Sequence, residues 1–133
     1  MGMGSVLVRM VLVGAGGALG CLARYGLAGA SQAIFGARFP VGTLLANVIG
    51  CALVGVFGYF FVDRQALSPQ HRLLMVTGFL GGLTTFSSFG YETFMMARDG
   101  DYRAAGLNIG ANLVLSLTGV WAGWAGARAL WAP

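Results

Sequence analysis

The sequence of 133 residues is poor in charge and contains no lysine. Charged residues make up 9% of it, against about 25% in an ordinary soluble domain, whereas hydrophobic residues make up 57% and glycine supplies 23 positions. A small soluble domain exposes much of its surface and needs charged groups to cover that surface. The scarcity of charge therefore argues against a water-soluble enzyme or binding module and indicates a membrane protein.

Basic runs and cysteine motifs are also missing. The eight basic residues are all arginines scattered singly, so the net charge of +4 marks membrane edges rather than a nucleic-acid partner. Cys21 and Cys51 lie in apolar stretches, His71 is the single histidine, and no C-x-x-C occurs. Neither a disulfide framework nor a side-chain metal cluster has support.

A dinucleotide-binding motif is incomplete. Residues 11–20 read like a strand followed by a glycine turn, but Leu19 stands where the third glycine of G-x-G-x-x-G belongs. No acidic residue follows about 20 positions later, as the motif requires. We therefore reject a nucleotide-binding fold.

Four segments are apolar and long enough to cross a membrane, which takes about 20 residues for about 30 Å of hydrocarbon. The predicted spans are residues 5–31, 41–62, 73–97 and 104–127. Their short linkers leave no room for a soluble domain. The sequence predicts an all-α integral membrane protein with one four-helix transmembrane domain over residues 1–133.

Glycine spacing predicts close packing between these helices. Four pairs have the G-x-x-x-G spacing that lets backbones approach in lipid: Gly16/Gly20, Gly78/Gly82, Gly106/Gly110 and Gly119/Gly123. Four short helices enclose little interior alone. We therefore expect an oligomer.

The arginines give no preferred orientation. Four crossings place Arg9, Arg64, Arg72 and Arg128 on one side and Arg24, Arg38, Arg98 and Arg103 on the other. Orientation follows the bias of positive charge between the two sides, and here the count is equal. The sequence thus allows insertion both ways and antiparallel pairing of the two forms.

Polar residues follow one face of two spans. Thr43 and Asn47 are one turn apart in the second span, and Asn108, Asn112 and Ser116 follow at i+4 steps in the fourth, over about 12 Å at 1.5 Å per residue. Hydrogen bonding between helices would explain any one of them. The three polar residues in register on the fourth span favour a hydrophilic path.

The third span predicts a mid-membrane break. Paired glycines and paired threonines at Gly81, Gly82, Thr84 and Thr85 are poor helix formers. A break frees carbonyl groups, which are tolerated only against protein, water or an ion. Such carbonyls are hard oxygen ligands that suit a cation such as Na⁺.

Beyond this break, aromatic and hydroxyl side chains alternate. Phe86 and Phe89 lie i,i+3 apart with Ser87 and Ser88 between them. Ring edges carry partial positive charge, so an anion can pass phenyl edges and hydroxyls without a fixed cation to trap it. Two phenylalanines in a packed core are the alternative reading. Glu92 follows and needs a hydroxyl or amide partner from a neighbouring helix.

Three motifs carry a resemblance to the Fluc/CrcB family of fluoride channels over nearly the whole chain. Residues 16–25 resemble G-G-x-x-G-A-x-x-R-Y, with Cys21 where alanine is usual. Residues 42–50 resemble G-T-L-x-x-N-x-x-G. Residues 78–92 resemble G-F-x-G-G-x-T-T-F-S-[ST]-F-x-x-E, which is long and specific.

The resemblance implies an antiparallel, dual-topology homodimer in the lipid bilayer of the cell membrane, with two fluoride pathways. Phe86 and Phe89 would be the ring-edge ligands of the fluoride ion, and Asn47 would donate a hydrogen bond nearby. Backbone carbonyls of Gly81 and Thr84 from both subunits would hold a structural Na⁺ on the dimer axis.

The remaining motif positions imply a polar track beside the pathway. Ser87, Ser88, Thr43 and Glu92 match this track, and Arg24 matches a vestibule arginine. The fourth span departs from the family, which often has tyrosine, serine or threonine where this sequence has Asn108, Asn112 and Ser116.

We therefore expect a passive fluoride-selective channel that exports cytoplasmic fluoride and lowers its toxicity. No nucleophile–base constellation is present, so no enzyme is expected. One alternative is a small dual-topology proton-coupled multidrug exporter, but its essential acid would lie in the first helix, which has none. The other is a non-transporting membrane subunit held by glycine packing.

Overall fold

The computed structural model describes residues 3–131, in which every regular element is a helix and short non-helical segments join the helices. The four end residues of the predicted 1–133 domain lie outside it. Helix α1 is Met3–Phe35; α2 is Val41–Gly58 and continues as a π-helical turn, Tyr59–Asp63. Helix α3 comprises Pro69–His71, the π-helical Arg72–Leu80 and Gly81–Leu83; α4 is Phe86–Arg98, and α5 is Tyr102–Trp131.

Four helical stretches are long and apolar enough to cross a membrane, as the sequence predicts. They are Gly4–Phe35, Val41–Asp63, Pro69–Arg98 and Tyr102–Trp131. Each is longer than the predicted span, because the sequence limits follow hydropathy whereas a helix continues until its backbone is interrupted.

The interruptions are local. Helix α1 ends where Gly36 adopts a positive φ of 77°, a conformation open to glycine. Helix α3 begins at Pro69, whose fixed φ suits the first helical position. Helix α5 begins after Asp101, whose carboxylate accepts the N–H of Ala104 at 2.9 Å.

Glycine lets α1 pack on α3. A Cβ at Gly16 or Gly20 would overlap the α3 backbone near Phe79, and one at Gly78 or Gly82 would overlap the α1 backbone. In lipid, such close approach supplies the packing that holds helices together.

Glycine also lets α5 pack on α2, where a Cβ at Gly123 would overlap the carbonyl of Ala52. Gly106 and Gly110 behave differently, since nothing lies within 4 Å of a Cβ at either position. This glycine face of α5 is open.

Two asparagines lie inside the bundle, whereas many large apolar side chains lie on its surface. Asn108 is 0% exposed and Asn112 is 5% exposed. Leu22, Leu117 and Trp121 are all exposed by more than half. An exposed apolar surface of this extent requires lipid or another protein to cover it.

Candidate ion pathway

The chain leaves helical geometry at Thr84 and Thr85, between α3 and α4. Thr84 has φ −78° and ψ 153°, and Thr85 has φ −152° and ψ 117°, so both are extended. In a continuous helix the Thr85 N–H would donate to the Gly81 carbonyl. It donates instead to Asn47 Oδ1 of α2, at 2.8 Å. In return, Asn47 Nδ2 donates to the Thr85 carbonyl at 3.2 Å.

Asn47 thus replaces the helical hydrogen bond of the Thr85 N–H and adds a second side-chain bond at the Thr85 carbonyl. A buried backbone polar group must find a partner, particularly where water is excluded. The two bonds between Asn47 and Thr85 meet that requirement and hold the extended segment against α2.

Side-chain hydrogen bonds also satisfy the end of α3. Arg24 of α1 donates from Nε to the Gly82 carbonyl at 3.1 Å. The Thr84 hydroxyl donates to the Leu80 carbonyl at 2.9 Å. Arg24, assigned by motif to a vestibule, therefore has its guanidinium on the backbone beside Thr84. Its vestibule role stays a prediction.

Hydroxyl groups cluster at the start of α4. Thr85 Oγ1 accepts the Ser88 N–H at 3.2 Å, donates to Ser88 Oγ at 3.1 Å, and lies 3.2 Å from Ser87 Oγ. This side chain caps the helix. The cluster lies at the positive end of the α4 dipole, an electrostatic setting that favours an anion.

Phe86 and Phe89 contact each other edge-on, with ring centroids 5.4 Å apart and planes at 60°. Phe89 is 8% exposed, but Phe86 is 80% exposed within a single chain. Phe86 is therefore not part of a packed core in the monomer, and its ring is available to a pathway or to a partner.

Both rings line a crevice of about 250 Å³, which we call the central crevice. It gathers residues from α2, the extended segment, α4 and α5. Its lining is Asn47, Cys51, Thr84, Thr85, Phe86, Phe89, Asn112, Leu113, Ser116 and Leu117. Six residues that sequence motifs or spacing single out meet here: Asn47, Thr84, Phe86, Phe89, Asn112 and Ser116.

The three asparagines of the protein form one hydrogen-bonded network. Asn47 Nδ2 donates to Asn112 Oδ1 at 2.9 Å. Asn112 Nδ2 donates to both the backbone carbonyl and Oδ1 of Asn108, each at 3.0 Å. Asn108 Nδ2 donates to Thr93 Oγ1 at 2.8 Å, and that hydroxyl donates to the Phe89 carbonyl at 2.7 Å. We call this set the asparagine network.

Glu92 has the hydroxyl partner that the sequence predicts. Thr43 of α2 donates to Glu92 Oε1 at 2.7 Å. Glu92 Oε2 is buried and has no hydrogen-bond partner among residues 3–131. Both side chains line a second cavity of about 440 Å³, which also includes Arg38 and Asp99 and which we call the outer cavity. Glu92 therefore lines a cavity that is separate from the central crevice.

The structure thus separates the predicted pathway residues into groups. Thr43 and Glu92 line the outer cavity, Ser87 and Ser88 join the hydroxyl cluster, and Asn108 is buried behind Asn112.

Sequence reasoning did not single out Thr85 or Thr93 as functional partners. Both act through contacts with other helices or with backbone groups. Each of these threonines is one helical turn from Phe89 in the sequence. That spacing alone does not indicate a functional role.

Residues 11–124 match the family described as "CrcB-like protein, Camphor Resistance (CrcB)". A Geobacter sulfurreducens protein named "Fluoride-specific ion channel FluC" is 48% identical over 114 residues, covering 86% of this chain and 92% of the relative. A protein of the same name from Geotalea daltonii is 44% identical, covering 90% of this chain and 96% of the relative. Another from Geobacter metallireducens is 46% identical, covering 93% of this chain and 100% of the relative.

The fold and its crevices define a multi-pass membrane protein with polar groups between its helices. Within that class, the chain belongs to the CrcB family, as the three sequence motifs predict. The relatives are named as ion channels, so the family agrees with the expectation that this protein is not an enzyme.

Proposed function

We propose that this protein is a fluoride-selective passive channel of the cell membrane that exports cytoplasmic fluoride and lowers its toxicity. The central crevice carries the proposal, because it brings two phenyl rings and the Asn47 amide from different helices to one volume. The names of the relatives support fluoride as the ion and do not favour a multidrug exporter.

The crevice chemistry suits a small anion that leaves part of its hydration shell behind. Ring edges of Phe86 and Phe89 offer partial positive charge, and hydroxyl and amide groups offer donors. No charged residue is among the side chains that line the crevice. Ion conduction requires sites that bind weakly enough to release the ion, and neutral donors meet that requirement.

The proposed pathway extends beyond the crevice. It includes Thr43, Asn47, Phe86, Ser87, Ser88, Phe89, Glu92, Asn108, Asn112 and Ser116, with Arg24 at a vestibule. In this arrangement the route includes the hydroxyl cluster at the start of α4 and the outer cavity lined by Thr43 and Glu92.

The proposed assembly is an antiparallel dual-topology homodimer with two pores. Three features support it: the equal distribution of arginine, the open glycine face at Gly106 and Gly110, and the exposed Phe86 ring. A second copy would cover apolar surface that a single chain leaves open.

We include a structural Na⁺ on the dimer axis, bound by the carbonyls of Gly81 and Thr84 from both subunits. In a continuous helix these two carbonyls would accept the amides of Thr85 and Ser88. Those amides donate instead to Asn47 Oδ1 and Thr85 Oγ1. The break therefore leaves two hard oxygen ligands of the kind a cation prefers, and a bound ion would join the two subunits there.

Ion flux from proteoliposomes tests the function. Vesicles loaded with potassium fluoride and potassium chloride receive valinomycin, and halide-selective electrodes follow the external solution. We expect rapid fluoride release with chloride retained, and none from protein-free vesicles. Proton-driven drug uptake would instead support the exporter. Absence of both activities in protein that elutes as a folded species would support the non-transporting subunit.

A further inference from the structure

The hydrogen bonds that join the side chains of Asn47, Asn112, Asn108 and Thr93 all run in one direction. From the extended segment they pass through Asn47, Asn112 and Asn108 to Thr93, each amide accepting on oxygen and donating from nitrogen. Asn108 and Asn112 are nearly inaccessible, so these polar groups depend on one another. The network is therefore an ordered structure with a defined polarity.

Backbone groups determine that polarity. The Thr85 N–H can only donate, so it requires the oxygen of Asn47. The Asn108 carbonyl can only accept, so it requires the nitrogen of Asn112. Reversing the Asn47 amide would place its NH₂ group against the Thr85 N–H, and reversing the Asn112 amide would place its oxygen against the Asn108 carbonyl. The oxygen of Asn112 is therefore held toward Asn47.

This polarity leaves Asn47 without a free donor. Its amide nitrogen carries two hydrogens; one bonds to the Thr85 carbonyl and the other to Asn112 Oδ1. An anion that binds at Asn47 must break one of these bonds. The Thr85 bond is longer, at 3.2 Å, but it satisfies the extended backbone, whereas the Asn112 bond joins two side chains within the crevice lining.

We propose that Asn112 is an internal competitor of the permeating anion, and that Asn108 holds it in the competing orientation. In this arrangement Asn112 Oδ1 occupies the Asn47 N–H in the empty pathway, and the anion displaces it. The inference rests on the proposed function and deepens it, because it makes Asn112 a determinant of anion affinity. A charged acceptor forms a stronger hydrogen bond than a neutral amide oxygen, so displacement is feasible.

Competition has a measurable consequence. Each occupied N–H reduces apparent affinity by the free energy of the bond that must be broken, and a net hydrogen bond corresponds to roughly a threefold to tenfold change in affinity. Asn112→Ser shortens the side chain and withdraws its oxygen from Asn47. We expect this variant to bind fluoride at Asn47 about threefold to tenfold more tightly than the wild type.

Side-chain amide NMR measures this affinity directly, because the protein has only three asparagines. Asparagine-selective ¹⁵N labelling gives three side-chain amide groups in the wild type and two in Asn112→Ser. Full-length protein in detergent is titrated with sodium fluoride, with sodium chloride at equal ionic strength as control. The readout is the fluoride concentration at the midpoint of the Asn47 amide shift.

Two further variants keep the test decisive. Asn108→Ser removes one of the two acceptors that hold Asn112, so we expect the Asn47 midpoint to fall by a smaller factor, roughly twofold to threefold. Thr118→Ser, on an exposed position of α5, is the matched control and should leave the midpoint unchanged. If Asn112→Ser does not elute from size exclusion as the wild type does, it is misfolded, and the Asn47 midpoint of Asn108→Ser decides the test.

Conductance separates failure of this inference from failure of the proposed function. In planar bilayers we expect Asn112→Ser to reach half-maximal conductance at a lower fluoride concentration than the wild type. Wild-type protein that passes no fluoride overturns the proposed function. Wild-type conduction combined with an Asn47 midpoint within twofold of wild type in both asparagine variants overturns the competition alone.

Discussion

At the residue scale, Phe86 and Phe89 differ in what they contribute. Their rings touch edge-on and line one crevice, but Phe89 is buried whereas Phe86 is exposed in the single chain. A substitution at Phe89 therefore removes both the proposed anion contact and packing, whereas one at Phe86 should leave the fold of the monomer intact.

Replacing Phe86 with isoleucine should lower fluoride flux by roughly threefold to tenfold, since an aromatic edge contact contributes about 0.5–1.5 kcal/mol that an aliphatic side chain lacks. Phe89→Ile should lower flux similarly and also reduce thermal stability. The measurement is fluoride release from proteoliposomes of equal protein content. Phe94→Ile, on an exposed position of α4 outside both cavities, is the control. Undiminished flux in Phe86→Ile and Phe89→Ile would disprove the ring-edge contact.

The sequence identifies six of the residues that line the crevice, but not the hydrogen-bond partners that they have there. The motif around residues 78–92 identifies Phe86 and Phe89, and i+4 spacing places Asn108 and Asn112 on one face. That Asn47 bonds the Thr85 backbone and Asn112 at once depends on how α2, α4 and α5 are arranged. Spacing within one helix carries no information on that arrangement.

At the scale of elements, the extended Thr84 and Thr85 depend on α2. Gly81 and Gly82 weaken the helix before them, but weak propensity alone does not stabilise an extended segment. The two bonds from Asn47 provide that stabilisation. The extended conformation therefore depends both on the weak helix propensity at the end of α3 and on the hydrogen bonds from α2.

Asn47→Leu should destabilise the protein by about 2–4 kcal/mol, because in a partly buried setting it leaves the Thr85 N–H without its partner and removes the Asn47 bonds to the Thr85 carbonyl and to Asn112. Asn47→Asp keeps an acceptor for the N–H but loses both donors, so we expect an intermediate loss. Thermal unfolding in detergent, followed by size exclusion of the soluble fraction, measures the change. Equal stability of wild type and Asn47→Leu would show that the segment needs no support from α2.

Glycine contacts between α1 and α3 give a second test at this scale. A Cβ at Gly20 would overlap the Phe79 carbonyl, whereas nothing lies within 4 Å of one at Gly14 on the same helix. Gly20→Ala should therefore cost about 1–3 kcal/mol of stability by forcing the backbones apart. Gly14→Ala should be neutral or slightly stabilising. Thermal unfolding of both variants in one detergent compares them, and equal melting would contradict this packing.

At the scale of the whole molecule, a single chain leaves much apolar surface uncovered. The open face at Gly106 and Gly110 and the exposed apolar side chains of α1 and α5 require lipid or a second copy. The equal count of arginines on the two sides gives that second copy no preferred direction. Both properties underlie the proposed antiparallel dimer.

A cysteine in the loop after α2 tests the orientation. Ala66 is exposed there, and Ala66→Cys in a variant with Cys21 and Cys51 replaced by alanine gives a single thiol. Dual topology predicts that a membrane-impermeant maleimide labels part of the protein in intact cells and the remainder after permeabilisation. The cysteine-free parent is the control. Complete labelling, or none, before permeabilisation would exclude insertion both ways.

The sequence alone determined the membrane class, the four helical spans and the family, because hydropathy and contiguous motifs are local properties of the chain. It did not determine the ends of the helices, which depend on backbone features such as the positive φ of Gly36. Only the tertiary structure decided which polar groups meet, because Asn47, Thr85 and Asn112 come from α2, the extended segment and α5 and bond through backbone and side chain together. A buried polar group takes the partner that packing brings within reach.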